Sequence, residues 1–453
     1  MLPEPESFPA VLDTVHRFAD QALAGVADRP VAHPPAPVAA SPLPVAGVGF
    51  DEALATFARR WEPGFSGSAG PRYLGFVTGG ATPAALAGDW LTSTFDQNAV
   101  ANDSSAVDLE RETVGWLAEL FGLGVEHTGT FVTGATMSNF VGLALGRQWL
   151  GEQRGISVAH AGVQALGPVH VLSGTPHSTV YKALSMLGVG RDHVHHVPVQ
   201  PDREAVDLAH LRRALEALNG TPAIVVANAG TVNTVDFDDL RAIAALRDEF
   251  PFWLHVDAAF GGFAALSPTH AHLVDGMAEA DSVCVDLHKW LNVPYDAAVQ
   301  FTRHQSLQLP IFQNVGPYLP TPTAGDLFHL TPESSRRLRA LPAWFTLTAY
   351  GAEGHRAIVE NNIANAHHLA TRLTTTPGHT LLSPVRLNVV CFTPPGDVAA
   401  TARAITASGE AFVTPTVLRG VPALRAAFSN WRTTEEDVDR VYEAIVAAGK
   451  SVE

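Results

Sequence analysis

The chain has 453 residues, with 29 basic against 45 acidic side chains, a formal charge of −16, 46% apolar residues and 16% charged ones. At about 150 residues per domain there is room for two or three domains and a substantial core; the acidic balance disfavours nucleic-acid or anionic-membrane partners, which need clustered cations. No unbroken apolar stretch reaches the roughly 20 residues that cross a bilayer, and MLPEPESFPA lacks the basic and apolar regions of a secretory signal, so a cytoplasmic location is expected.

Residues 1–28 contain a short helical pattern, VLDTVHRFADQALAGV, and residues 30–44 carry six prolines, a composition that favours extended geometry and reads as a linker or surface arm. From about 85 to 300, short β-branched runs alternate with helical ones, each ending in Gly, Ser, Thr or Asp; this is the signature of a mostly parallel sheet covered by helices. The clearest strands are 167–174, 222–230, 252–260 and 281–287, and small or polar residues follow each of them, where open α/β sheets bind ligands. Beyond residue 350 come a helix-like stretch at 357–373, a strand-like VRLNVVCFT and a final helix in which Thr433 and Glu436 have capping-box spacing. The expected division is an N-terminal segment over 1–84, a large cofactor-binding domain over 85–350 and a small α+β domain over 351–453.

Two cysteines, Cys284 and Cys391, both in apolar runs, exclude a disulfide framework and read as core. Only three lysines occur, Lys182, Lys289 and Lys450, so few positions can supply an amine nucleophile. Lys289, at a strand end beside His288 in CVDLHKWLNVPYD, can lose its charge by desolvation and condense with a carbonyl; taken alone it could equally be a surface lysine. Asp257 closes the strand LHVDAAFGG. A carboxylate there is costly without a cation or donors, and a protonated pyridine nitrogen would fit, although a strand-end turn cap is the plainer alternative. In TGATMSNFVGLALGRQ, Thr133 to Asn139 pass from small polar residues into a helix, an N-terminus suited to a phosphate. His177, in SGTPHSTVYKALSMLG, is placed to stack on an aromatic cofactor or to cap the helix. His193, His195 and His196 lack fixed ligand spacing or a carboxylate, and no metal is expected. Together Lys289, Asp257, His177 and the loop supply what pyridoxal phosphate needs: an amine, a pyridinium partner, a ring-facing imidazole and a phosphate cradle.

These segments, HVDAAFGG and DSVCVDLHKW with Asp257 and Lys289 32 positions apart, PHSTVYKALSMLG, AGTVNTVDFDDL and TGATMSNF in this sequence, resemble the group II pyridoxal-phosphate-dependent amino-acid decarboxylases. That family includes aromatic-L-amino-acid, glutamate, histidine and diaminobutyrate decarboxylases. The resemblance runs from PRYLGFVTGG through SSRRLRALPAWFTLTAYG to the TTEED tail. It implies an α/β protein of fold-type I, in which a large domain with a mixed, mostly parallel seven-stranded sheet is joined to a small C-terminal α+β domain. It also implies a homodimer with shared active sites. Residue by residue, Lys289 would hold the cofactor aldehyde as a Schiff base, Asp257 would pair with the pyridine nitrogen and His177 would stack on the ring. Ala135, Thr136 and His288 would hold the phosphate, Thr231 and Ala259 would line the ring, and Tyr73 and Phe76 would contact substrate.

The implied activity is decarboxylation of an L-amino acid to its amine. An aromatic or other apolar side chain is preferred, on the resemblance and on the shortage of obvious cationic residues near Tyr73 and Phe76. One departure opens a second reading. Where aromatic-type members carry a loop Tyr that protonates Cα, the region before Arg336 and Arg337 reads AGDLFHLTPESS, with Phe328 and no Tyr; Tyr318 lies further upstream. Either the variable loop is aligned differently, or Phe328 marks oxidative decarboxylation–deamination to an aldehyde. Transamination, and a catalytically silent binding protein, are the remaining alternatives.

Overall fold

The computed structural model describes residues 7–32, 37–99, 104–317, 322–323 and 325–452. Apolar runs bounded by small residues build the central sheet. Its seven strands are β1 (Thr128–Val132), β2 (Val171–Ser173), β3 (Val194–His196), β4 (Ala223–Asn228), β5 (Phe252–Asp257), β6 (Ser282–Asp286) and β7 (Ala298–Thr302), in the order β1-β7-β6-β5-β4-β2-β3. From β3 to β6 the neighbours are parallel, and β7 runs antiparallel to both β6 and β1. Strands β4, β5 and β6 are buried along their whole length, because helices cover both faces; their sequences are therefore continuously apolar rather than alternating. The mixed, mostly parallel seven-stranded sheet expected from the resemblance is thus present. The four strands read from the sequence are β2, β4, β5 and β6, while β1, β3 and β7 complete the sheet.

A second sheet occupies the C-terminal region: β8 (Thr380–Leu381), β9 (Val389–Thr393), β10 (Thr414–Leu418) and β11 (Val421–Ala427), antiparallel in the order β10-β11-β9-β8. Leu369, Leu373, Phe392, Leu424, Phe428 and Ile445 form a core there, separate from that of the large sheet. The long helix Ala340–Thr374 that leads into this region breaks at Gly351, where φ is 62°. The last helix, Glu435–Val452, is capped one position later than expected: Thr434 N donates to Asp437 Oδ2 (3.0 Å) and Asp437 N to Thr434 Oγ1 (3.3 Å), whereas Thr433 Oγ1 donates to Pro71 O (2.7 Å). Thr433 serves the tertiary fold, so its neighbour caps the helix.

The N-terminal part is tied to the C-terminal sheet. Tyr73 bridges Phe412, and the guanidinium of Arg72, 1% exposed, donates to Glu410 Oε2 (2.7 Å), Glu410 O and Ala27 O (both 2.6 Å). The arginines of SSRRLR each clamp a different element. Arg336 makes a two-pronged bond to Glu110 (2.7 and 2.8 Å), Arg337 pairs with Asp89 (2.9 Å) and Arg339 with Asp296 (3.1 Å). No helix among the described residues is long and apolar enough to cross a membrane.

The side chains of Arg336 and Glu110 are both fully buried, so removing one partner strands the other charge away from water. Arg336→Met is expected to lower the unfolding free energy by about 3–5 kcal/mol. Adding Glu110→Leu should restore most of that loss, and urea titration of the native protein, the single and the double variant checks both.

Candidate active site

Parallel strands place their carboxyl ends on one edge of the sheet, and here that edge carries charge. Asn228 and Asp257 face each other at the ends of β4 and β5, and Asp286 ends β6. The chain turns directly from Asp286 into a short helix, Leu287–Trp290, which holds His288 and Lys289 over the edge. Close approach by the N-terminal segment fixes this turn: a Cβ on Gly79 would lie 1.8 Å from Lys289 O, so only glycine fits there.

A cleft of about 570 Å³ opens at this edge. Of the residues singled out in the sequence, Ala135, His177, Thr231, Asp257, Ala259, His288, Lys289 and Phe76 line it. Lys289 Nζ lies 3.2 Å from Asp286 Oδ2 and 5.7 Å from the centre of the Phe260 ring. His288 Nδ1 lies 3.2 Å from Asp286 Oδ1, and burial pulls its pKa down against the opposing pull of that carboxylate. His177 caps the helix Ser178–Met186. Its Nδ1 accepts from Thr179 N (3.3 Å) and lies 2.8 Å from Thr179 Oγ1. Burial is the main influence lowering its pKa, with Asp257 opposing, so the ring is neutral at pH 7.

Asp257 is 7% exposed and forms no ion pair among the described residues; Oδ1 accepts from Ala259 N (3.2 Å) and Oδ2 from Asn139 Nδ2 (3.0 Å). A buried carboxylate with two donors and no cation, facing a cleft that also holds a lysine, fits a ligand with a protonated nitrogen. The other end of the cleft fits an anion. The helix Ala135–Glu152 starts at Gly134 without a side-chain cap, and the amides of Ala135 and Thr136 have no partner among the described residues. Pyridoxal phosphate has both features, a ring nitrogen and a phosphate, so the residues present suit it.

Other candidates lie elsewhere. Thr136 adjoins Ala135 but is not a lining residue. Tyr73 stacks on Phe412 with ring centres 4.8 Å apart, behind Phe76, and does not line the cleft. Phe328 is buried in the turn Leu327–His329, its ring centre 3.8 Å from that of His329, and it does not reach the cleft of its own chain. The reason is local. Asp326 accepts from Thr323 Oγ1 (2.7 Å), which folds the segment back, and Leu327 packs with Val107 and Leu330. Tyr318 lies outside the described residues. His195 and His196 sit on the edge strand β3, 3.3 Å from His170 and 2.9 Å from Tyr181 Oη respectively.

Three further residues complete the cleft. Arg425, on β11 and 4% exposed, donates from Nη2 to Phe76 O (2.8 Å), and burial brings its pKa down to about 10. This corrects the expected shortage of cations near Tyr73 and Phe76: while Arg72 is turned to Glu410 and Ala27, Arg425 reaches Phe76 from 349 positions away. Its one trace in the sequence is a lone charge inside the apolar strand VPALRAAF. Glu204 takes three bonds on Oε2, from Thr231 Oγ1 (2.7 Å), Thr234 Oγ1 (2.6 Å) and Thr234 N (3.1 Å). Tyr295 is 60% exposed, with its ring 4.3 Å from that of His288.

Residues 50–394 match the model of the pyridoxal-dependent decarboxylase conserved domain. An aromatic-L-amino-acid decarboxylase of Bacillus atrophaeus is 28% identical over 410 residues, 84% of this chain and 82% of that protein. A cysteine sulfinic acid decarboxylase of Rattus norvegicus is 29% identical over 71% of this chain and 66% of its own length. The crystal structure of Oryza sativa TDC with PLP and tryptamine superposes with a TM-score of 0.90 at 23% identity, covering 100% of this chain and 99% of that one. Asp257→Asn is expected to weaken binding of pyridoxal phosphate to the apoprotein by about tenfold to a hundredfold, the size of one lost bond between charged groups. Fluorescence titration with the cofactor measures this without substrate.

Proposed function

The chain belongs to the pyridoxal-dependent decarboxylase family, and from that premise we propose that Lys289, Asp257 and His177 act in the decarboxylation of an L-amino acid with an aromatic or other apolar side chain. Carboxy-lyase activity and the use of pyridoxal phosphate are those of the family. One observation carries the residue assignment: Asp257 is a buried carboxylate without a cation partner among the described residues, on the strand next to the one that leads to Lys289.

Bound in the cleft, pyridoxal phosphate supplies a carbon that condenses with an amine and a ring that accepts the electron pair left when CO2 departs. Lys289 is the amine that would hold that carbon between turnovers, with Asp286, 3.2 Å away, to balance its charge. Asp257 would keep the proton on the ring nitrogen, which preserves the ring as an electron acceptor. The amides of Ala135 and Thr136, with His288, would hold the phosphate. Thr231 and Ala259 would flank the ring, and the neutral His177 would lie against its face. Arg425 is the cation available to a substrate carboxylate.

The aromatic preference rests on the walls. Phe76, Phe260 and Tyr295 line the cleft; of its Lys and Arg side chains among the described residues, Lys289 faces Asp286 at 3.2 Å and would hold the cofactor, which leaves Arg425 for a substrate carboxylate. No spare positive charge remains among them for a second substrate carboxylate. The aldehyde-forming alternative keeps its motive, a loop with Phe328 and no Tyr; Phe328 packs on His329 away from the lining of its own chain's cleft, and the product assay decides between the two.

A homodimer with shared active sites is part of the proposal. Helix Phe8–Ala24 buries none of its residues although Phe8 is 82% exposed and Leu12 54%, and Phe76 and Tyr295, each 60% exposed, stand open at the cleft. A second copy would cover these rings. The cytoplasmic placement is supported by two buried, unpaired cysteines.

The decisive assay incubates the protein with pyridoxal phosphate in air with each L-amino acid and scores amine, aldehyde, keto acid and peroxide by mass spectrometry and a peroxide dye. An aromatic substrate should give amine and CO2 in equal amounts without peroxide, and Lys289→Ala should give none. Turnover of glutamate or cysteine sulfinate alone would overturn the side-chain assignment, and aldehyde with peroxide would overturn the reaction. Sedimentation equilibrium should give twice the 48.0 kDa chain mass; a monomer at micromolar concentration would remove the shared-site arrangement.

A further inference from the structure

Behind Asp257 lies a chain of polar side chains whose donor and acceptor roles can be read from its ends. Trp253 Nε1–H can only donate, and it donates to Ser282 Oγ (3.0 Å). Ser282 is fully buried, and the other partner of its hydroxyl is His255 Nδ1 at 2.8 Å. If Nδ1 carried the proton, Ser282 would accept twice and its own O–H would have nowhere to go. The hydroxyl therefore donates, Nδ1 is the lone pair, and His255 holds its proton on Nε2, which donates to Asn139 Oδ1 (2.9 Å). His255 is fully buried and its pKa is pushed down to about 4, in keeping with a neutral ring.

The amide of Asn139 is thereby oriented, and its two hydrogens go to Asp257 Oδ2 (3.0 Å) and Thr179 Oγ1 (3.0 Å). Thr179 Oγ1, accepting there, gives its own proton to His177 Nδ1 at 2.8 Å, and the Thr179 amide converges on the same nitrogen at 3.3 Å. The cleft end agrees independently, because an ionised carboxylate and a nitrogen facing a backbone N–H can both only accept.

We propose that Asn139 is a positioning residue: the one-way chain from Trp253 through Ser282 and His255 forces it to donate twice, which makes Asp257 a pure acceptor and fixes His177 as the tautomer that carries its proton on Nε2. His177 thus meets the occupant of the cleft as a hydrogen-bond donor and not as a base. Nε2 has no partner among the described residues, which leaves that donor for cofactor or substrate. The proton arrangement is a property of the chain itself and rests on the decarboxylase reading only for its use.

The test is solid-state 15N NMR of the holoenzyme labelled in histidine, with the His177 signals assigned by their loss in His177→Gln. In the native protein Nδ1 should be unprotonated and Nε2 protonated. A protonated Nδ1 would overturn the proposal whether or not any variant folds. Asn139→Asp has no hydrogens to give, so the Thr179 hydroxyl should turn to the new carboxylate. His177 Nδ1 then keeps only the Thr179 amide as a donor, so its signal should move toward that of an unbonded ring nitrogen, and cofactor should bind about tenfold more weakly. Unchanged His177 signals in a folded Asn139→Asp protein would also overturn it. Failure of the decarboxylase reading would look different: no amine product while the native spectrum stays as expected.

Discussion

A carboxylate closed off at the end of a buried strand is the constraint around which this molecule is arranged. Little water reaches Asp257, and the described residues offer it two N–H donors but no cation. Such a group is tolerable when its donors are rigid, and both are. One is the amide of Ala259 in the turn after β5, the other a side chain on the helix Ala135–Glu152. Asn139 stands one helical turn from Ala135, so both lie on one face of that helix. The element that presents free amides at its N-terminus also grips the carboxylate, and the two ends of the cleft cannot shift relative to each other without moving a helix packed on β5, β6 and β7.

Around this fixed floor the walls are assembled from distant parts of the chain. The C-terminal sheet delivers Arg425 to the backbone of Phe76, and Arg72 and Tyr73 hold the N-terminal segment against Glu410 and Phe412. The arginines of SSRRLR do comparable work on the other side, joining the start of the helix Ala340–Thr374 to the helix Ala106–Leu120, to the helix Pro83–Phe95 and to the loop of Tyr295 and Asp296. A motif noticed first as a family marker thus has a mechanical role that its charges explain.

The sequence made visible what depends on short range. Strands β4, β5 and β6 announce themselves as apolar runs because both faces of a parallel sheet are covered, and Asp257 and Lys289 stand out because each ends such a run. The stretches 128–132 and 298–302 are not legible in the sequence: as five-residue edge-region strands, one of them antiparallel, they carry little periodicity of their own. The shift of the cap from Thr433 to Thr434 and the arrival of Arg425 beside Phe76 share one cause. Each is decided by a contact with residues far along the chain, and local spacing does not encode it. His255 is silent in the sequence for the opposite reason, since a lone histidine inside a strand looks like core until the fold brings its two partners, Ser282 and Asn139, beside it.

The union of the segment around Arg72 to Phe76 with residues 410–430 also bears on how the protein comes into being. On the ribosome the early segment emerges more than 330 residues before its partners, an interval on the order of tens of seconds at about 5–20 residues per second. For that time Leu74, 1% exposed in the finished fold, has no core to enter. The large sheet can form while synthesis continues, yet the cleft has one wall missing until β11 is made. A chain that stalls before β11 lacks Arg425 in the cleft and is left with an open, apolar flank of the kind that chaperones recognise.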